Sequence, residues 1–186
     1  QVAGGMLRGD RGRGEDGKAP KDEEPVAAAA IQPELEAQNQ QLAFCDRRFG
    51  ELTRGYQQVT EVVDVQPQAA HEISRALVDN CVDDLLASGD SVIRLLSEDV
   101  GVRSALHPAN VMVLSLLLGK ALGLQCAALK NLGLAALLHD LGKLALPHQV
   151  AEPYAHLTAS AMERYESHAG ETVARAERMK LPVAVV

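Results

Sequence analysis

The stretch Leu132–Pro147, LGLAALLHDLGKLALP, limits what this chain can fold into more than any other. Its first part, Leu134-Ala-Ala-Leu-Leu138, carries no polar side chain. As a helix it has no face to offer to water and belongs inside a domain. His139 and Asp140 arrive at its end, and an imidazole and a carboxylate carried into an interior need partners, because burying either one alone is costly. Successive helix positions diverge by about 100°, so His139 and Asp140 are expected to aim at adjacent positions and not at one point. A pair of metal ions about 3.5–4 Å apart, bridged by the carboxylate, suits that geometry. So does a simpler arrangement in which His139 caps the helix and Asp140 pairs with Lys143.

Two further histidines decide whether a shared site is available. His107 lies 32 residues before His139, and His168 lies 29 after it, each on or beside its own helical stretch. A small bundle can bring the three imidazoles together. Histidine nitrogens with a carboxylate suit iron, manganese or zinc better than magnesium or calcium. Spacing alone leaves the metal site and separate local roles equally open.

The remaining apolar pattern is helical throughout. From Pro33, placed early in a helix where its missing N–H does no harm, Leu35, Leu42, Cys45, Phe49, Leu52, Tyr56, Val59 and Val63 fall on the a and d positions of one heptad frame, interrupted by Gln38. A homodimeric coiled coil through residues 35–63 and packing of this face on its own domain both fit. Pro67 opens a second amphipathic helix, with the stripe Ala70, Ile73, Ala76, Leu77, Cys81, Val82, Leu85 and Leu86. His71 near its start reads as a surface residue, and Asp83-Asp84 as a solvated face. Asp90 or Ser91 is expected to cap a short helix through Leu96. Val111–Leu118 is the most apolar run, expected as the central helix of a bundle, with Gly123 as its stop. Thr158 is placed to cap a helix running toward His168, and a further helix continues to Met179 before Pro182. No strand alternation of any length occurs, and the aromatic content is only 3%, so the core is built from Leu, Val and Ala, which favour helix. The expected fold is all-α, with residues 33–98 as a helical lead-in and 99–186 as the domain carrying the histidines.

Residues 1–32 differ in kind. Glycine and charge dominate Gly4–Gly17, and such a stretch buries too little apolar surface to offset the entropy of ordering it; it reads as a disordered tail or linker. The net charge of −7 argues against a binder of nucleic-acid polymers, which needs a basic face. It leaves a nucleotide substrate open, because bound metal supplies local positive charge. Three scattered cysteines indicate neither a disulfide framework nor a zinc knuckle, and point to the cytoplasm. No apolar run is long enough for a membrane span.

The run Leu137-Leu-His-Asp-Leu-Gly-Lys143 resembles the signature of the HD superfamily of metal-dependent phosphohydrolases. From His107 to Pro182 the chain is similar, more narrowly, to the HD-GYP cyclic di-GMP phosphodiesterases. His107-Pro-Ala-Asn-Val111 matches their "H-x-x-N/R-V" opening, Gly119–Leu124 a following turn, Leu157-Thr158 their "L-T", and Ser167-His-Ala-Gly170 their third histidine step. The resemblance implies an HD-type helical bundle with His107, His139, Asp140 and His168 as metal ligands. Asp140 would be the bridge, and Lys143 would stand near the substrate phosphate. It implies a pair of divalent metals, iron or manganese with zinc as a third candidate, and hydrolysis of cyclic di-GMP to linear pGpG or on to GMP. Arg103 stands where some members carry an acidic ligand for a third metal, which favours two metals here. Ala161 replaces a capping glutamate, and Glu152-Pro-Tyr-Ala-His156 replaces a loop usually rich in lysine and glycine. The family's "HH" pair, GYP motif and late aspartate would fall beyond Val186, so slow or absent turnover is expected of these 186 residues. The related HDOD domains, helical signalling modules without hydrolysis, are the competing class.

Overall fold

The computed structural model describes residues 24–88, 103–151 and 158–186, with side chains from Pro33 onward except that of Arg103. The described residues are helical, with no strand among them. The elements are α1 (Glu24–Val62), α2 (Pro67–Ser88), α3 (Arg103–Ala121), α4 (Cys126–Leu138), a 3₁₀ turn (Leu141–Ala145), α5 (His148–Ala151), α6 (Ala159–Glu166) and α7 (His168–Arg178). The chain divides into two units, residues 1–37 and 38–186. The first is described only from Glu24, where it is helical. Helix α1 therefore begins nine residues before the expected start at Pro33. Ala27–Ala30 are the best helix formers available, and Pro33 removes one backbone N–H from the ladder without ending it. Residues 1–23 of the expected tail, the expected short helix near residues 90–96 and the whole loop Glu152–His156 lie outside the described residues.

The second unit is built around one apolar core. From Cys45 onward the heptad face of α1 is spent inside it: Phe49, Leu52, Val59 and Val63 are buried against Val78, Val82 and Leu85 of α2 and the apolar residues of α3 and α4. Leu35 and Leu42, higher on the same frame, are exposed. Helix α4 packs on α2 and α3. A Cβ on Gly133 would come within 2.6 Å of Val78 Cγ1, so the missing side chain lets α2 approach closely. Gly123 ends α3 as expected, at φ 76°, with Leu124 N donating to Gly119 O at 2.9 Å. Thr158 caps α6 as expected, accepting from Ala161 N.

Three expectations change. Helix α3 is not enclosed on every side, since Leu114 and Leu118 are 52% and 62% exposed; it lies at the edge of the packed layer on that face. His71 is half-buried, its Nδ1 3.1 Å from Met179 O, which satisfies a carbonyl left over at the end of α7. Asp84 is not merely solvated: it accepts from Arg48 Nε at 2.7 Å and ties α2 to α1. Helix α7 is fastened on the same side of its sequence by charge. Arg175, only 6% exposed, donates to Glu171 and to Asp64 in the α1–α2 turn, and Arg178 donates to Asp64 at 2.7 Å.

Candidate metal centre and its cleft

Each side chain of the cluster comes from the end of a different element. His107 stands in the second turn of α3, with its side chain 64% exposed. Helix α4 stops at Leu138, and Asp140 takes φ −104°, ψ 9° as the chain tightens into the 3₁₀ turn. That departure from helical backbone overturns the expected divergence of His139 and Asp140. The aspartate swings back, and His139 Nε2 lies 3.2 Å from Asp140 Oδ2. His168 opens α7 and reaches the other oxygen, with Nε2 3.5 Å from Asp140 Oδ1. Lys143, one 3₁₀ turn on, donates to Asp140 Oδ2 at 2.6 Å, the local ion pair that the sequence allowed as the simpler arrangement.

The protonation pattern fits metal ligation. His139 Nδ1 is 2.8 Å from Ala136 O, and His168 Nδ1 is hydrogen-bonded to Tyr165 O. A carbonyl only accepts, so in the neutral rings the proton sits on Nδ1 and the Nε2 lone pair faces the cluster. His107 Nε2 and His139 Nε2 are 3.3 Å apart, and His107 Nε2 is 3.4 Å from Asp140 Oδ2. With the 3.2 Å His139–Asp140 edge these atoms form a nearly equilateral triangle. Ligands about 2.0–2.1 Å from one tetrahedral ion stand roughly 3.3–3.4 Å apart. The three donor atoms thus fit one face of such a site, and all lie within 4.8 Å of one another. His168 stands outside that group of three, on the second carboxylate oxygen.

The electrostatics follow from the same contacts. Burial alone would push the Asp140 carboxyl up, but hydrogen bonds from His139 and Lys143, with their charges, outweigh it and hold the group well below the usual carboxylate range. The hydrogen bond that the doubly protonated ring donates from Nε2 to Asp140 raises His139 against the opposing effect of burial. Burial lowers Lys143, and its bond to Asp140 more than compensates, so it stays an ammonium.

Two residues that sequence reasoning passed over hold the halves of the cluster together. Gly142 N donates to Thr172 Oγ1 at 2.8 Å, and that hydroxyl faces both His139 O at 3.1 Å and His168 O at 3.0 Å. One threonine thus touches the backbone of two of the histidines. A Cβ on Gly142 would lie 1.9 Å from His168 O, so only glycine lets the 3₁₀ turn meet α7 this closely. The position of Thr172, four residues after His168, was the only signal available in the sequence.

His107 and Asp140 of the cluster, with Lys143, line one part of a cleft of about 590 Å³, here called its floor. Helix α1 contributes Tyr56, Gln57 and Thr60 to its lining, which also includes Leu144, Leu146 and His148. Residues 105–184 match the HD domain family. This segment is similar to the HD domain family over those residues. Comparison of the chain with curated proteins and with solved structures gives no match. The HD match, together with the His107–His139–Asp140 triad, indicates a metal-dependent phosphohydrolase. Among the described residues no helix is long and apolar enough to cross a membrane.

Proposed function

We propose that the HD domain is a divalent-metal phosphodiesterase that opens cyclic di-GMP to linear pGpG, and on to GMP. The observation that carries the metal-dependent part is the triangle of His107 Nε2, His139 Nε2 and Asp140 Oδ2 at the floor of the cleft. The cyclic dinucleotide is supported by the match of His107–Val111, Leu137–Lys143 and Ser167–Gly170 to the HD-GYP pattern. A metal pair, iron or manganese before zinc, supplies when bound the charge that activates water and neutralises phosphoryl oxygens. The chain's own part is to orient it. The Nδ1 bonds to Ala136 O and Tyr165 O fix two imidazoles, Asp140 offers one oxygen toward each side of the site, and Lys143 brings a point charge to the cleft.

A second reading, an HDOD-like signalling module, is favoured by one contact: the Lys143 ammonium sits on the very oxygen, Asp140 Oδ2, that the triangle shares. The two part on one experiment, in which the protein is loaded with Mn²⁺ or Fe²⁺ and incubated with cyclic di-GMP. Metal analysis accompanies chromatography of the products. Bound metal and slow release of pGpG are expected. Asp140→Ala should lose both, and Lys143→Ala should lower turnover while keeping its metal, since an ammonium is no ligand. Protein that takes up no metal and leaves the substrate intact is the signalling module.

A further inference from the structure

The cleft extends well past the space a phosphate needs, and its wall is partly built by a helix outside the HD match. Among the described lining residues, Asp140 and Lys143 are the charged side chains at neutral pH, and both lie at the floor beside His107. The rest is uncharged apart from the titratable His148. Pro108, Leu144 and Leu146 offer apolar surface, while Gln57 and Thr60 offer polar groups from one turn of α1. None of Gln57, Thr60, Pro108, Leu144 and Leu146 carries a positive charge, so this side suits a flat heteroaromatic ring, hydrogen-bonded at its edge, better than a phosphate.

Gln57 has the chemistry for that edge. Its carboxamide holds a donor and an acceptor side by side, the pattern by which glutamine reads a nucleobase. The side chain is exposed and makes no hydrogen bond among the described residues. Its backbone is held: Thr60 Oγ1 donates to Gln57 O at 2.7 Å. The preceding residue, Tyr56, is 6% exposed and belongs to the core, so this turn of α1 is fixed in the cleft wall.

We propose that the Gln57–Thr60 turn of α1 is a nucleobase subsite of the cleft, with Gln57 hydrogen-bonding the edge of a base whose phosphate sits at the His107–Asp140–Lys143 floor. This rests on the phosphoester reading above. The test is calorimetric titration of the Mn²⁺-loaded protein with GMP and, separately, with ribose 5-phosphate, which carries the same phosphate and sugar without the base. Wild type should bind GMP more tightly. Gln57→Ala should weaken GMP about fivefold to tenfold, the scale of one or two neutral hydrogen bonds, and leave ribose 5-phosphate unchanged. Equal affinity for the two ligands in wild type, or a GMP preference that survives in Gln57→Ala, overturns the subsite while leaving the metal-phosphate site standing. Binding of neither ligand overturns the phosphoester reading, and the subsite with it.

Discussion

The two sides of the metal cluster are built differently. His139, Asp140 and His168 meet at a junction where the 3₁₀ turn and α7 touch backbone to backbone, tied by Thr172 and by the Nδ1 bonds of both histidines. His107 stands on the opposite helix, mostly exposed, and its side chain meets those of His139 and Asp140. The first side is organised by the fold before any ligand arrives. The second gains its order from whatever binds between the rings. Geometry held by backbone contacts is expensive to disturb, while an exposed side chain can be removed without disturbing the fold.

The sharpest way to break this contrast is Gly142→Ala. A methyl group facing His168 O must push the 3₁₀ turn off α7, and overpacking of this kind costs about 1–3 kcal/mol. Urea unfolding should show that loss, whereas His107→Ala should move stability by less than about 0.5 kcal/mol and still remove a ligand. Gly170→Ala is the matching control. Nothing lies within 4 Å of its missing Cβ, so helix propensity should leave it neutral or slightly stabilising. Equal stability of Gly142→Ala and wild type would show that the junction is not packed as described.

Thr172→Val keeps the shape of the side chain and deletes the hydroxyl between His139 and His168. Residues that support ligands without touching metal typically change affinity 10–100-fold, so a Mn²⁺ titration should weaken by about that factor, and Thr172→Ser should restore most of it. A Thr172→Val protein that binds metal like wild type would leave the hydroxyl a purely local helix contact.

The smallest effect is expected at the far end of α7. The hydrogen bond from Arg178, opposed by slight burial and joined by Arg175, holds the Asp64 carboxyl below its ordinary range. A carboxyl lowered on folding stabilises the fold fully above its unfolded value near about pH 4 and loses that contribution as pH falls through the folded value. Asp64→Asn should therefore be slightly less stable than wild type at neutral pH, with the gap closing in acid. A gap unchanged down to strongly acidic pH would mean that charge is not what Asp64 contributes. Because the aspartate is half-exposed, the difference should be modest.

Much of this was legible from periodicity. An unbroken apolar helix placed His139 and Asp140 at an interior end, the helical pattern gave the all-α fold, and Gly123 and Thr158 marked their boundaries correctly, because caps and stops are local backbone chemistry. The start of α1 is not legible in the sequence, because a proline suits a helix's first turn and the alanines before it are already helical. His71 and Asp84 were assigned to solvent because a single polar residue on a helix carries no sign of a partner about a hundred residues away, as Met179 is from His71.

What the sequence determined by itself was the inventory: which helices form, which faces are apolar, and which nitrogen and oxygen donors are available. Only the tertiary structure decided how they meet. Asp140 turns back on His139 where the backbone departs from helical angles at Asp140 itself, a change in one residue that no pattern of hydrophobicity records. The role of Gly142 arises from His168 O, 26 positions along the chain, and that of Gln57 from a cleft whose floor belongs to α3 and the 3₁₀ turn. Local propensity acts over a few residues, whereas a site is a set of distances between elements, and those are fixed by how the buried faces pack.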